Sequence, residues 1–254
     1  MRILLTNDDG ADSPGILLLA DALREAGHRV FMVAPSFDAS GVSHSISFFK
    51  GCRKLAEIGR DSFSFDGTPV DCVVVALRGG LAELDMTEAG NGAPPDAVIS
   101  GINRGANLGT DIVFSGTAAA ARQGAFCGIP SLALSLVHDG DGAWRRDTAV
   151  DFAVERLGEM LACWKPDSFV NVNIPNRAGK PLELVRAFPS LRQYKDRVHV
   201  WTAPDGHRYC AAKLEAIGAK LEPGSDWDVV SAGKASLSDI FVHPVLLEHI
   251  SRRC

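Results

Sequence analysis

Asp8 and Asp9 are adjacent carboxylates at the point where a short apolar run ends, and Gly10 follows them directly. Successive side chains of a regular strand point to opposite faces, but the glycine permits a turn that directs both carboxylates to one point. Two like charges at one point repel each other unless a cation lies between them. An isolated Asn-Asp-Asp-Gly sequence suits an ordinary turn equally well, so a cation site requires further ligands.

Ser40 and Asn103 are the candidates for those ligands, because each lies in a polar loop after another apolar strand. The carboxyl ends of the strands in an open α/β sheet meet at one edge, where ligands bind. Alone, a loop Ser or Asn commonly bonds local backbone. Together with Asp8 and Asp9 the two side chains form an oxygen-only set, which suits magnesium, manganese or calcium rather than structural zinc.

Ser115, Gly116 and Thr117 open an Ala-rich helix and form a second candidate site. The free N–H groups and hydroxyls at a helix N-terminus bind phosphate well. The same residues would serve as an ordinary N-cap without any ligand. Asn107 and Ser115 are further candidate donors to a phosphate.

A cation held beside a helix N-terminus is the arrangement that phosphomonoester hydrolysis requires. The cation polarises the phosphoryl group and lowers the pKa of a bound water, while N–H groups stabilise the charge on the oxygens. Asp9, or Asp8, would accept the proton of that water as the catalytic base. The alternation of strand-like and helical segments along the chain predicts where these residues lie in the fold.

Apolar runs alternate with helical patterns over the first 175 residues, which predicts an α/β domain with a parallel sheet. Beyond residue 175 the runs are short and interrupted, so we expect residues 176–254 to form a smaller antiparallel part with a last helix at 244–250. The predicted elements are strands at 2–6, 29–34, 46–49, 63–65, 97–100, 129–136 and 169–174, and helices at 14–27, 70–77, 117–127 and 148–164.

Composition excludes several classes of protein. The net charge of −5 argues against coating of nucleic acid, and no apolar run is long enough to span a membrane. Six scattered cysteines without a C-x-x-C pair indicate free thiols in a reducing compartment. The first residues reach acidic side chains too soon for a secretory signal, so we expect a soluble cytoplasmic protein.

Several long stretches closely resemble motifs of the survival protein SurE family of 5'-nucleotidases, in the family's order. They are Arg-Ile-Leu-Leu-Thr-Asn-Asp-Asp-Gly at 2–10, Ala-Pro at 34–35 with Ser-Gly at 40–41, Gly-Thr-Pro-Val-Asp-Cys at 67–72, Ser-Gly-Ile-Asn-Arg-Gly-Ala-Asn-Leu-Gly at 100–109, Ser-Gly-Thr-Ala-Ala-Ala at 115–120 and Ile-Pro-Ser-Leu-Ala-Leu-Ser at 129–135. Gly-Ser-Asp-Trp at 224–227 resembles a further motif, whereas Gly-Lys-Ala-Ser-Leu-Ser at 233–238 departs from the family's G-Y-V-S-I-T.

The resemblance implies a Rossmann-like catalytic core, here residues 1–175, and a C-terminal part, residues 176–254, used in subunit exchange within a homodimer or homotetramer. It implies one divalent cation per subunit, magnesium or manganese, on Asp8, Asp9, Ser40 and Asn103. It also implies hydrolysis of nucleoside 5'-monophosphates, with 3'-monophosphates and short polyphosphate accepted by some members. Neither a membrane nor a stable nucleic acid partner is implied.

Three other functions share parts of this sequence pattern. A haloacid dehalogenase type of phosphatase uses an aspartate nucleophile within Asp-x-Asp, but here the two aspartates are adjacent. A nucleotide sensor would bind phosphate in the same crevice without cleaving it. A dinucleotide-binding dehydrogenase needs G-x-G-x-x-G after its first strand, which does not follow Gly10. His44, in the loop of Ser40, is a further candidate for substrate contact.

Overall fold

The structure is a computed structural model and describes residues 1–80, 94–138, 143–177, 183–194, 196–213, 216–219 and 222–244. Within these ranges, none of the helices has both the length and the apolar character that a membrane crossing requires. The predicted helix at 244–250 lies outside the described residues, apart from its first residue.

A nine-stranded sheet organises the chain, with the strand order β3-β4-β2-β1-β5-β6-β7-β13-β8. Neighbours from β4 to β7 run parallel, whereas β3 pairs antiparallel with β4 and β13 pairs antiparallel with β7. The strands of this sheet are β1 Arg2–Thr6, β2 Arg29–Pro35, β3 Leu55–Gly59, β4 Ser62–Phe65, β5 Ala97–Arg104, β6 Ser131–Val137, β7 Ser168–Pro175, β8 Leu184–Arg186 and β13 Ala235–Phe241.

Helices cover both faces of the sheet, which explains why its central strands are apolar on both sides. They are α1 Pro14–Glu25, α2 Pro69–Val75, α3 Gly116–Phe126, α4 Arg146–Glu155, α5 Leu157–Ala162 and α6 Asp226–Ser231. Ile3 and Leu5 of β1 pack on the face that carries α1 and α4, and Leu4 packs on the opposite face with α2 and α3. The predicted α/β fold with a parallel sheet and flanking helices is confirmed.

Two small antiparallel pairs lie beyond residue 175. One pairs β10 Arg197–Thr202 with β11 Arg208–Lys213, and the other pairs β9 Arg192–Tyr194 with β12 Ala216–Ala219. The same region also supplies β8 and β13 to the main sheet, and β8 pairs with β13 in parallel. The main sheet therefore extends across the proposed division between residues 1–175 and 176–254.

Two predicted elements were wrong. The apolar run at 46–49 predicts a strand, but the segment lies outside the sheet and Phe48–Lys50 is a 3-10 helix. Phe49 is 94% exposed there, so the apolar side chains of this run do not mark a buried strand. Residues 148–164 were expected to form one helix, but α4 ends at Glu155 and α5 starts at Leu157. The apolar spacing continues across Arg156, so the sequence pattern gave no sign of the break.

Candidate active site

Asp8 and Asp9 follow β1 and are held by two different elements. Asp8 is 3% exposed, and its carboxylate accepts a short hydrogen bond from the hydroxyl of Thr117 in α3. Asp9 accepts the backbone N–H of Arg104 at 3.0 Å, where β5 ends. The turn after β1 thus connects the start of α3 to the loop after β5.

Burial makes ionisation of this pair costly. It raises the pKa of Asp8 to about 6, the charge of Asp9 adds to this rise, and the Thr117 hydroxyl opposes it. The pKa of Asp9 is also raised by burial, while the Arg104 N–H lowers it. A buried carboxylate next to a partly buried one, both with raised pKa values, is typical of a functional site, and a cation would favour the ionised form of both.

Ser40 and Asn103 each keep an oxygen free for a cation. The hydroxyl of Ser40 donates to Asp38 at 2.6 Å, which leaves its oxygen lone pairs as acceptors. The Nδ2 of Asn103 donates to the carbonyl of Gly105 at 3.0 Å, which leaves Oδ1 as the atom suited to a metal. Both hydrogen bonds orient a neutral oxygen ligand.

Two adjoining cavities bring these residues together. A cavity of about 440 Å³ is lined by Asp8, Ser40, Asn103, Asn107 and Ser115, together with residues considered below. A cavity of about 300 Å³ is lined by Asp9, Asn103 and Arg104. Asn103 and Arg104 border both cavities, so the two aspartates face adjoining parts of one crevice.

The residues present fit a divalent cation. In the ranges that the structure describes, no three His, Cys, Asp or Glu side chains gather as a metal site. A cation on Asp8 and Asp9 would therefore take its other protein ligands from neutral oxygens such as those of Ser40 and Asn103. The burial of the Asp8 carboxylate next to that of Asp9 favours such an ion, because a cation would balance two neighbouring negative charges.

The N-terminus of α3 lies directly against Asp8. A Cβ placed on Gly116 would be 2.8 Å from the Cβ of Asp8, which shows how closely the helix start approaches the carboxylate. Ser115 is the N-cap and accepts the N–H of Ala118 at 3.0 Å, so its hydroxyl hydrogen remains available to a ligand. The hydroxyl and the backbone N–H of Thr117 are both engaged by the Asp8 carboxylate, so this residue holds Asp8 against the start of α3.

Asn107 is buried below the larger cavity. Its Nδ2 donates to Ser135 at 2.8 Å, and its backbone N–H donates to Asn173 at 2.8 Å. The side chain of Asn171 donates to the Asn107 carbonyl at 2.8 Å. These bonds from β6 and β7 fix the loop after β5, and the second hydrogen on Nδ2 remains for a substrate oxygen.

Arg104 and Asp226 were not among the predicted site residues. Arg104 borders both cavities, and its position next to Asn103 was the available signal. Asp226 is fully buried and accepts the N–H groups of Gly109 and Ser190 at 2.7 and 2.9 Å, so it holds the loop before α3. The sequence shows Asp226 within the Gly-Ser-Asp-Trp motif, but it does not show which backbone groups Asp226 binds.

His44, a predicted candidate for substrate contact, instead forms a hydrogen bond with Gln123 at 3.2 Å and lies outside the residues that line the two cavities.

Comparison with known proteins agrees with the fold and with the motifs. The family model described as survival protein SurE matches residues 3–197. The 5'-nucleotidase SurE of Xylella fastidiosa (strain M12) is 38% identical over 95% of this chain and 90% of that protein. The protein of the same name from Xanthomonas axonopodis pv. citri (strain 306) is 39% identical, with the same coverage of both chains.

A solved structure extends this likeness to three dimensions. The crystal structure of the SurE protein from Aquifex aeolicus has a TM-score of 0.81 and 34% identity, and the match covers 100% of this chain and 98% of that chain. The resemblance read from the sequence motifs is confirmed by these matches.

Proposed function

Because this chain belongs to the survival protein SurE family, we propose that it is a 5'-nucleotidase that hydrolyses nucleoside 5'-monophosphates to a nucleoside and inorganic phosphate. The observation that carries the proposal is the direct contact between the start of α3 and buried Asp8. This contact places an anion-binding helix terminus beside a carboxylate that suits a cation.

Asp8, Asp9, Ser40 and Asn103 would hold one divalent cation, magnesium or manganese. Such an ion, when bound, polarises the phosphoryl group and activates a water. The chain itself would bind the phosphoryl oxygens through the Ser115 hydroxyl, the N–H of Gly116 and the amide of Asn107. These donors are fixed by the helix and by β6 and β7, so they need no rearrangement as charge develops on the phosphate. Thr117, whose hydroxyl and N–H both engage Asp8, would hold that carboxylate in place beside the phosphate.

Asp9 is the better placed of the two aspartates to accept the proton of the attacking water. The hydroxyl of Thr117 already donates to one oxygen of Asp8, and that carboxylate is almost completely buried. Asp9 is held by the single N–H of Arg104 and borders the open cavity beside Asn103. A proton on its second oxygen would leave the bond from Arg104 intact.

The finer properties that we propose follow from the family. They are acceptance of 3'-monophosphates and short polyphosphate, assembly as a homodimer or homotetramer through residues 176–254, and a cytoplasmic location. The proposal includes residues 1–175 as the catalytic core, with neither a membrane nor a stable nucleic acid partner.

Phosphate release from AMP and GMP tests the proposal. The purified chain is assayed with manganese or magnesium, then with excess EDTA, and the Asp8→Asn and Asp9→Asn variants are compared with Asp21→Asn. Asp21 pairs with Arg24 on the surface of α1, so its variant is a matched control. We expect phosphate release that requires the metal. It should be lost in Asp8→Asn and in Asp9→Asn but retained in Asp21→Asn.

Two outcomes would contradict the proposal. Tight binding of metal and AMP without phosphate release would indicate a sensor. An aspartyl-phosphate on Asp8, trapped by acid quench and found by mass spectrometry, would replace direct attack by water with a covalent mechanism.

A further inference from the structure

The larger cavity extends beyond the phosphate-binding residues to an aromatic wall. Phe114 and Tyr194 line it, with ring centroids 6.1 Å apart and planes at 86°, an edge-to-face arrangement. Phe114 is 55% exposed, so part of its ring is open to a ligand in this cavity. A partly exposed aromatic pair in a cavity suits a flat apolar ligand.

The wall stands within reach of a phosphate at the start of α3. Phe114 directly precedes the N-cap Ser115, so their Cα atoms are about 3.8 Å apart. The N–H of Ser43 donates to the Phe114 carbonyl at 3.1 Å, which ties the wall to the loop of Ser40. A phosphate bound by Ser115 and a ring packed on Phe114 can therefore belong to one small molecule.

Tyr194 is held in place from behind by polar contacts. Its hydroxyl donates a short hydrogen bond to Asp111, and the Nε of Arg192 lies 3.3 Å from the same carboxylate. The guanidinium of Arg192 stacks over Trp227 at 4.7 Å. The ring is thus fixed before any ligand arrives, which lowers the entropy cost of binding.

We propose that Phe114 and Tyr194 bind the nucleobase of the substrate and make purine nucleoside monophosphates the preferred class. This inference rests on the proposed nucleotidase function. Stacking of a base on an aromatic side chain contributes about 1–3 kcal/mol, which corresponds to at least about fivefold in affinity. Purines gain more than pyrimidines because their two fused rings cover more of the wall.

The test compares AMP with ribose 5-phosphate, which carries the same phosphate and sugar without a base. For each variant the ratio of kcat/KM for AMP to that for ribose 5-phosphate is measured. We expect Phe114→Leu and Tyr194→Leu each to lower this ratio at least about fivefold, mainly through KM for AMP. Tyr194→Phe keeps the ring and should keep most of the ratio.

Phe126→Leu is the matched control. Phe126 is the last residue of α3, the helix that Phe114 precedes, and its ring contacts His44 and His243 instead of lining the cavity. The ratio of dissociation constants for the two ligands is also measured by calorimetry without metal. The ratio of dissociation constants tests the base contact even if the wild-type chain releases no phosphate. Absence of phosphate release would contradict the proposed function but not the base contact.

An equal loss for AMP and ribose 5-phosphate in both leucine variants would overturn the inference. So would a selective loss for AMP in Trp144→Leu with none in Phe114→Leu or Tyr194→Leu, because Trp144 lines the smaller cavity and the base would then lie there.

Discussion

The buried carboxylate of Asp226 accepts the backbone N–H of Gly109 at 2.7 Å, across 117 positions of sequence. The same side chain accepts the N–H groups of Ser190 and Trp227 at 2.9 and 2.8 Å. It thereby joins the loop that leads into α3 to the segment that leads into β9. The phosphate site and the aromatic wall share this one anchor.

Asp226→Ala should therefore reduce stability strongly. It leaves three backbone N–H groups without their acceptor at a fully buried position, and we expect a loss of about 3 kcal/mol or more in the free energy of unfolding. Urea denaturation measures this loss. Asp228→Ala is the control, because the Asp228 carboxylate accepts a single N–H among the described residues, that of Gly224, at an exposed site. Equal effects of the two variants would refute the role of Asp226 as an anchor.

Gly116→Ala should abolish most of the phosphatase activity while the chain stays folded. The new methyl group would lie 2.8 Å from the Cβ of Asp8, so either the carboxylate or the start of α3 must move. A displacement of this kind at a reacting centre costs about a hundredfold in rate. Steady-state assays with AMP and circular dichroism together check this expectation.

Gly158→Ala is the matched control for that substitution. Gly158 lies in α5 with nothing within 4 Å of an added Cβ, so alanine should stabilise the helix by about 0.5–1 kcal/mol and leave activity unchanged. Retained activity in Gly116→Ala would show that Asp8 tolerates displacement.

Cation binding should weaken as the pH falls through 6. Burial raises the pKa of Asp8 to about 6, so protons compete with the ion well above the ordinary range of an aspartate. In the absence of metal, the folding stability of the chain should change with pH in the opposite direction and increase as the pH falls. Ionised Asp8 is penalised in the folded state above pH 6, and this penalty fades as the pH falls towards 3.8.

Calorimetric titration with manganese at pH 5.0, 6.0 and 7.5 measures the competition. We expect the affinity to fall about tenfold for each pH unit below 6. An affinity that stays constant over this range would mean that Asp8 is not a ligand.

Thr117→Val should weaken the cation site, whereas Thr117→Ser should not. Valine removes the hydroxyl that donates to Asp8 without changing the size of the side chain. A hydrogen bond to a charged group contributes about 1.5–3 kcal/mol, so we expect manganese affinity to fall about tenfold or more. Equal binding by the valine and serine variants would contradict this role of the hydroxyl.

The order of elements near the site could be predicted because it is encoded locally. Pro14 and Gly27 bracket α1, and β1 and β2 are apolar runs between turn residues. Parallel strands bring their carboxyl ends to one edge, so the sequence alone predicts that Asp8, Ser40 and Asn103 lie near one another. Their assignment as metal ligands stays a prediction.

The remaining features depend on contacts between distant residues. The strand β13 was not predicted from the sequence, and its pairing with β7 on one side and β8 on the other joins segments that are distant along the chain. Tyr194 reaches the cavity because β9 packs near Asp111, 83 positions earlier. Pairing over such distances is set by tertiary packing, which local propensity does not encode.

The sheet order has a consequence for synthesis on the ribosome. β8 leaves the ribosome before β13, yet its place in the sheet is beside β13 and beyond β7. A nascent chain that ends before Ala235 therefore exposes the outer edge of β7, and an open edge invites pairing with other chains. The final stretch of translation closes that edge, so premature termination there would yield an aggregation-prone product rather than a shorter enzyme.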